Sequence, residues 1–480
     1  MSSDPKRWRA LAVLGIAYLM VVLDVAIVNV ALPSIQTDLH FSSAASLQWV
    51  VSAYALTFGG LLLLGGRSGD LLGRRRVFMV GLAFFSLFSL LCGLSTSAAM
   101  LITMRALQGA AGAILSPSVF SITTVTFEEG AERNKALGIL GAIAGSGAAI
   151  GVLLGGILTQ YAGWDWIFFV NVPIGVGGLA LVPLCVRESR ATGLARHFDA
   201  AGAISVTAGL MLFVYALTRA PTVGWGSAEV ILSFVGWAIL SALFIVIELR
   251  SHSPLLPLGI FRRRTLTGAN VIGLLLGVTV FGMFFLLSLY MQEVLGFSAI
   301  KTGVGYLAVA LTAVVASGVA QALVTRAGVK QVLAVGMILL AAGLAYFTQI
   351  SVNGSYFGDL FVGFVLIGIG LGFSFVPVSI AALAGATSGE AGLQSGLINT
   401  NQQIGGALGL AILTTVATTR TDDLLKADVS HAEAATRGYS LAFWVGVGFA
   451  LVGLAATLLL LKRDDLRVVV PEPATVSKSA

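Results

Sequence analysis

The chain has 480 residues, of which 57% are hydrophobic and only 10% are charged. Because a soluble domain carries about 25% charged residues, this composition excludes an ordinary soluble protein and predicts an all-α polytopic membrane protein. The 58 glycines fit that class, since small residues let membrane helices approach closely. The net charge of +6 requires no nucleic acid, because cationic loops beside membrane helices are attracted to anionic membrane lipid.

Apolar stretches long enough to cross a bilayer, which takes about 20 helical residues, follow one another along the chain. The sequence predicts fourteen of these transmembrane helices. They begin near Leu11, Leu47, Val77, Met100, Ala136, Ile167, Ala201, Val230, Leu266, Thr302, Val332, Phe357, Gly396 and Leu441. The first is too long for the apolar core of a signal peptide, so we expect it to remain attached as a span.

Most Lys and Arg residues fall in loops on one side of this arrangement. The loops on the other side hold only Arg219, Lys301, Arg420, Lys426 and Arg437. Since cytoplasmic loops are the ones enriched in Lys and Arg, we expect a multi-pass protein of the cytoplasmic membrane with both termini in the cytoplasm.

Sliding the chain against itself by about 256 to 260 residues aligns similar segments, as an internal repeat does. The run GRRRVFMVGL from Gly73 meets GVKQVLAVGM from Gly328, and Gly147 meets Gly405. This predicts two parallel six-helix halves related by an axis along the membrane normal, as in carriers. The predicted N-terminal half is 1–186, and the C-terminal half is 265–462. Between and after them lie a cytoplasmic connection (187–199), two additional helices (200–250), a cytoplasmic loop (251–264) and a cytoplasmic tail (463–480).

Asp24 is the only acidic residue well inside a predicted span, and Arg105 is the only basic one. A charge at the bilayer centre costs at least about 2.5 to 3.5 kcal/mol, so such residues usually face a cavity and act on ions or substrate. Their heights differ by about one helical turn, and Gln108 shares a helix face with Arg105. We expect Asp24 and Arg105 to form a proton-coupling pair. A purely structural ion pair, or an Arg105 that extends towards the surface, remains open.

The loop GRSGDLLGRRR, from Gly66 to Arg76, joins the second and third spans. Positive loop charge explains its arginines but not Asp70, which is placed to approach the positive end of a neighbouring helix. We expect a cytoplasmic gate here. It would comprise Gly66, Asp70, Gly73, Arg74 and Arg75.

Two further residue sets are candidates. Glycines in the fifth span, whose spacing of about four residues predicts close helix packing, are Gly147, Gly151, Gly155 and Gly156. Polar and aromatic residues in several spans are weaker candidates for a substrate cavity, because such residues more often pack helices together. They are Asn29, Gln48, Trp49, Tyr54, Gln108, Asn399 and Gln403.

Four segments resemble the major facilitator superfamily, and within it the fourteen-helix drug and proton antiporters. They are LDVAIVNVALP from Leu23, GRSGDLLGRRR from Gly66, RALQGAAGA from Arg105 and GAAIGVLLGG from Gly147. Val152 stands where the last pattern usually has Pro, and Asp165 replaces a usual Arg in WDWIFFVNVPIG.

The resemblance implies the major facilitator fold, with two six-helix halves plus two extra helices. It further implies multidrug efflux by alternating access, in which hydrophobic, often cationic, compounds leave as protons flow inward. The proton would be the coupling ion, with no other cofactor, no metal and a functional monomer. A dedicated exporter of an endogenous metabolite and a non-transporting sensor or scaffold are the alternatives. The sequence has no HExxH, GxxxxGK or CxxC motif and no His within a span, so we expect no enzymatic activity.

Overall fold

The computed structural model describes residues 6–41, 44–190, 199–251, 254–384, 386 and 390–461. Regular structure in these ranges is helical. The predicted tail at 463–480, most of the predicted connection at 187–199, and the side chain of Gln48 lie outside the described part. The α-helices are α1 (Arg7–Asp38), α2 (Ala44–Leu72), α3 (Arg74–Gly93), α4 (Ala98–Thr126), α5 (Ala131–Tyr161), α6 (Trp166–Phe169), α7 (Asn171–Cys185), α8 (Ala200–Val223), α9 (Ala228–Arg250), α10 (Arg264–Leu289), α11 (Ala299–Ala327), α12 (Val329–Phe347), α13 (Phe361–Leu383), α14 (Ala391–Leu425) and α15 (His431–Leu460).

Several helices begin at a polar residue whose side chain satisfies a free backbone amide of the first turn. Asp199 accepts from the Gly202 amide at 2.7 Å, and Ser298 accepts from the Lys301 amide at 3.2 Å. A 3-10 helix (Leu258–Arg262) precedes α10, and one-turn π-helices (Tyr290–Val294 and Tyr356–Leu360) adjoin α10 and α13. These signals divide a nearly uniform apolar sequence into separate helices.

Twelve helical segments in the described ranges are long and apolar enough to cross a membrane. They are α1 to α4, the α6–α7 pair, α8 to α13 and α15. The other two long helices, α5 and α14, do not meet this measure, so it does not support the expected fourteen spans. In α5, where the side chains of 145, 148 and 149 lie outside the described part, the shorter apolar stretch is Ile150–Tyr161. Helix α14 carries amide side chains such as Asn399, Asn401 and Gln403.

The helices pack as two groups with the same pairings. In the first group α1 packs on α5, α2 and α3 pack on α4, and α7 packs on α3. In the second group α10 packs on α14, α11 and α12 pack on α13, and α15 packs on α12. The groups meet where α5 contacts α11 and α13, and where α2 and α4 contact α14. Helix α8 packs on α2, α14 and α9, so the α8–α9 hairpin lies against both groups.

One face of the molecule collects the ends that the sequence places in basic loops. Arg7 at the start of α1 pairs with Glu132 at the start of α5 at 2.8 Å. Lys6 donates to the carbonyl of Leu184 near the end of α7 at 3.3 Å. We call this side, which also carries the α2–α3 turn, the basic face.

Glycines bring the backbones of α10 and α14 into direct contact. A Cβ at Gly405 would lie 2.0 Å from the Leu274 carbonyl oxygen, and one at Gly409 would lie 2.1 Å from the Val278 carbonyl oxygen. Such spacing is how membrane helices gain contact where no hydrophobic effect holds them together. The contact between α10 and α14 therefore depends on the absence of side chains at these positions.

Gly409→Ala should lower the thermal stability of the detergent-solubilised protein, because overpacking costs about 1 to 3 kcal/mol. Gly448→Ala is the matched control, since a Cβ there meets nothing within 4 Å. Stability is measured as the temperature at which half of the protein leaves the monodisperse peak in size-exclusion chromatography. Equal transition temperatures for the two variants would contradict the close contact at Gly409.

Candidate functional site

Asp24 lies in the middle of α1 and is fully buried. Its Oδ2 accepts a hydrogen bond from Arg105 Nη1 at 2.5 Å. Its Oδ1 accepts from Gln108 Nε2 at 2.8 Å and from Asn171 Nδ2 at 3.1 Å. We call these four residues the carboxylate cluster. They join α1, α4 and α7 through one acid.

Arg105 is 1% exposed and is held by more than its ion pair. Its Nε donates to the Val50 carbonyl of α2 at 3.1 Å, and its Nη1 also donates to Gln108 Oε1 at 2.8 Å. The guanidinium carbon lies 4.2 Å from the centre of the Tyr54 ring. An aromatic face attracts a cation most strongly when water is excluded. The guanidinium therefore has favourable contacts that do not involve Asp24.

Asn171 is the member of the cluster that the sequence did not reveal. Its Nδ2 lies 3.0 Å from Ser89 Oγ of α3, and Ser89 Oγ donates to the Phe168 carbonyl at 2.9 Å. Its one signal was an amide in the otherwise apolar run IFFVNVPIG, from Ile167 to Gly175. Through Ser89 the cluster also reaches α3 and α6.

Three of the four predicted α5 glycines hold α1 in place beside Asp24. A Cβ at Gly147 would lie 2.4 Å from a Val22 methyl carbon, and one at Gly151 would lie 3.1 Å from the Leu23 carbonyl oxygen. A Cβ at Gly155 would lie 2.8 Å from the Ile27 carbonyl oxygen. Gly156 faces a different helix, with its Cβ position 3.3 Å from an Ile300 side-chain carbon of α11. The glycine set thus serves two contacts.

A second buried acid, Asp70, lies at the end of α2 on the basic face and is 1% exposed. Arg74 Nη2 donates to Asp70 Oδ1 at 2.6 Å, and Arg74 Nε donates to Ser121 Oγ of α4 at 2.7 Å. The backbone amides of Gly392 and Leu393 donate to the two Asp70 oxygens, each at 3.2 Å. A carboxylate at a helix N-terminus is stabilised by the unpaired amides and the helix dipole. Asp70 therefore fastens the first helix group to the first turn of α14, and we call this contact the Asp70 latch.

Small residues let the two groups close around the latch. A Cβ at Gly66 would lie 2.4 Å from the Gly392 carbonyl oxygen, so the backbones of α2 and α14 touch. Ser395 Oγ donates to the Pro117 carbonyl of α4 at 2.9 Å. The seam between the groups is thus closed by backbone contact and hydrogen bonds together.

The other predicted gate residues fix the start of α3. Gly73 has a φ of 110°, a conformation that favours glycine. The Glu188 carboxylate accepts from the Arg75 amide at 3.1 Å and from the Arg76 amide at 3.2 Å. Arg75 Nη1 also donates to the Val186 carbonyl at 3.3 Å. These contacts orient the turn that presents Asp70 and Arg74.

The six cavity candidates whose side chains the structure describes have different surroundings. Tyr54 and Gln108 belong to the surroundings of Asp24. Asn399 is buried, and its Oδ1 accepts from Ser116 Oγ at 3.4 Å. Asn29 is exposed and donates to the Val25 carbonyl of its own helix. The Trp49 ring lies 5.9 Å from the Tyr215 ring of α8, and Gln403 is half-buried.

Residues 14–410 match the sequence model of the Major Facilitator Superfamily. The chain belongs to this superfamily. The predicted resemblance to the superfamily is thereby confirmed, and the twelve apolar helices in the described part of the chain are those of a multi-pass membrane protein.

Several related proteins are named for resistance to an antibiotic or for its export. The chain is 39% identical to the puromycin resistance protein pur8 of Streptomyces alboniger, over 94% of this chain and 90% of that protein. It is also 39% identical to the cephamycin export protein CmcT of Amycolatopsis lactamdurans, over 94% and 91%. The tetracenomycin C resistance and export protein of Streptomyces glaucescens is 34% identical, over 87% and 77%.

A solved structure has the same fold. The human organic anion transporter MFSD10 (TETRAN) superposes with a TM-score of 0.66 over 95% of this chain and 100% of that one. The sequences are 14% identical, so this likeness concerns the fold alone.

Removing the cation of the cluster should destabilise the protein more than removing both charges. Arg105→Gln leaves the Asp24 carboxylate buried and unpaired, and breaking a buried pair in this way costs about 3 to 5 kcal/mol. The double variant Asp24→Asn/Arg105→Gln has the same side chain at position 105 and an amide of the same size in place of the Asp24 carboxylate, so it differs from Arg105→Gln only by lacking the buried charge. We expect its thermal transition in detergent to lie well above that of Arg105→Gln. A double variant no more stable than Arg105→Gln would argue against a buried ionic contact.

Proposed function

We propose that the protein is a proton-coupled secondary transporter that exports hydrophobic, cationic compounds of the antibiotic type. The observation that carries the proposal is the Asp24–Arg105 pair, which is buried between α1 and α4 of the first helix group. The chain that contains it is related to resistance and export proteins. Charges inside a membrane domain usually mark ion or substrate pathways. Asp24 is the group that would bind the proton.

The surroundings of Arg105 support the exchange that this function needs. When a proton binds Asp24, the carboxylate loses its charge and its attraction for the guanidinium. Arg105 can then stay in place, because the Val50 carbonyl, Gln108 and the Tyr54 ring still hold it. A cationic substrate would compete for the ionised carboxylate and so exclude the proton. Asp24 would thus alternate between proton and substrate.

The Asp70 latch supports alternating access. With the basic face on the cytoplasmic side, Asp70, Arg74 and the first turn of α14 would close the protein to the cytoplasm. Opening that side would break the two hydrogen bonds from backbone amides to Asp70 and the hydrogen bond from Ser395 to the Pro117 carbonyl. Gly66 would allow close backbone contact in this gate. Gly73 and Arg75 would orient the turn that presents Asp70 and Arg74.

We further propose that α5 and α14 cross the membrane, which gives fourteen spans organised as six, two and six. At about 1.5 Å per residue, helices of 31 and 35 residues exceed the bilayer core of about 30 Å. Each also packs along a helix that meets the apolar criterion, α1 or α10. The halves would be 1–186 and 265–462, with both termini in the cytoplasm.

Impermeant thiol labelling tests these two crossings in a Cys92→Ala/Cys185→Ala background. Cysteines at positions 129 and 161 flank α5, and cysteines at 390 and 423 flank α14. We expect 129 and 390 to react from the cytoplasmic side and 161 and 423 from the outside. If the two members of either pair react from the same side, that helix does not cross.

Asp24→Asn should abolish proton-driven export while leaving folded protein in the membrane. The amide has the same size as the carboxylate but cannot bind and release a proton. Glu293→Gln is the control, since it makes the same chemical change at an exposed acid of the second group. Transport is measured in proteoliposomes as pH-driven movement of a panel of cationic dyes and antibiotics. Wild-type rates for Asp24→Asn would refute proton coupling through this residue.

The same panel separates a second candidate function. Two relatives are named for the export of one compound each, cephamycin and tetracenomycin C. An exporter dedicated to one endogenous metabolite would move one chemical class and leave the dyes untouched. A multidrug exporter would move several unrelated compounds.

A further inference from the structure

Glu248, in the last turn of α9, holds the chain that follows the helix. It is 5% exposed, and its two oxygens accept from the backbone amides of Leu255 and Leu256, each at 3.1 Å. A Cβ at Gly202 would lie 3.0 Å from Glu248 Oε1, so the first turn of α8 also lies against the carboxylate. One acid therefore fixes the segment after α9 to the base of the α8–α9 hairpin.

This fixed segment packs into the seam between the helix groups. Leu255 and Leu256 are buried in one apolar cluster with Leu63 of α2 and with Leu393 and Leu397 of α14. The amide of Leu393 is also one of the donors to Asp70. The segment therefore packs against the same helix end that the Asp70 latch holds.

The segment also contacts α14 through an ion pair. Arg263 Nη1 donates to Glu390 Oε2 at 2.7 Å, and Arg263 Nη2 donates to Glu390 Oε1 at 3.1 Å. Paired bonds of this kind fix orientation as well as distance. Glu390 directly precedes the first residue of α14. The start of α14 is thus held from α2 by Asp70 and from the preceding segment by Arg263.

We propose that Glu248 is a positioning residue of the gate on the basic face, and that the segment 254–263 is a second latch on α14. Glu248 holds the segment so that Leu255 and Leu256 fill the seam and Arg263 reaches Glu390. Opening this face separates α2 from α14, so it must divide the apolar cluster as well as break the Asp70 latch. The two additional helices thereby favour the state closed on this face. The inference rests on the alternating access proposed above.

A buried reporter measures how often the basic face opens. Ser116 of α4 is 1% exposed and lies behind the latch, against Asn399 of α14. A Ser116→Cys reporter in the Cys92→Ala/Cys185→Ala background reacts with an impermeant maleimide, applied from the cytoplasmic side, only while this face is open. The labelling rate is compared in proteoliposomes without substrate, so it does not depend on the compound transported.

Charge exchange tests the second latch. Arg263→Glu and Glu390→Arg should each raise the labelling rate at least about twofold, which is what a partly exposed ion pair contributes. The double variant Arg263→Glu/Glu390→Arg restores opposite charges and should return the rate to that of the reporter alone. Glu248→Gln should raise the rate as well, because an amide cannot accept from both backbone amides with its two terminal atoms. Unchanged rates in both single charge variants would overturn the second latch, even if Glu248→Gln fails to fold.

The Asp70→Asn variant separates a failure of the second latch from a failure of the proposed gate. It should raise the labelling rate because it weakens the first latch. If Asp70→Asn raises the rate while the Arg263, Glu390 and Glu248 variants do not, the gate stands and the second latch is refuted. If Asp70→Asn also leaves the rate unchanged, the proposed gate is wrong and the second latch is overturned with it.

Discussion

The Asp24–Arg105 ion pair lies where water is excluded, so every polar atom of the pair needs a partner within the protein. Burying charges is so costly that the pair persists only with good geometry and additional hydrogen bonds. Here Gln108 and Asn171 donate to the acid, while Val50 and Tyr54 hold the cation. These partners lie on different helices, so the packing of α1, α2, α4 and α7 is tied to a single carboxylate. Protonation of that carboxylate would therefore affect the packing of all four helices.

The start of α14 shows how a departure from apolarity serves the interface between the groups. Its small and polar residues weaken it as a hydrocarbon-facing helix, yet they make the contacts with the first group. Ser395 and Asn399 bond across to α4, and the glycines let α2 approach backbone to backbone. The free amides of its first turn bind Asp70. Helix α14 is therefore less apolar because its position between the groups requires small and polar residues.

The sequence predicted the parts of the site that depend on rarity and on local spacing. Charges within spans are scarce, so Asp24 and Arg105 could be paired from their heights alone, and Gln108 followed from its position on the same helix face. It also predicted that Asp70 approaches a helix N-terminus. It could not say which one, because Asp70 and Gly392 are 322 residues apart and spacing along a chain does not determine which spans are neighbours. Asn171 and Glu248 were not identified as partners for related reasons: an amide in a span is usually packing, and an acid at a helix end usually faces solvent.

The glycines of α5 have a consequence for the path of water. Where Gly151 and Gly155 face α1, a Cβ would lie 3.1 Å from the Leu23 carbonyl oxygen and 2.8 Å from the Ile27 carbonyl oxygen, so the two backbones are in close contact. A gap that admits water needs room for about one solvent-sized sphere and polar partners to hold the molecule. The close contact at Gly151 leaves no such room between the two backbones. In the function proposed above, water and protons would therefore reach Asp24 from the other side of α1, where Gln108 and Asn171 supply polar groups.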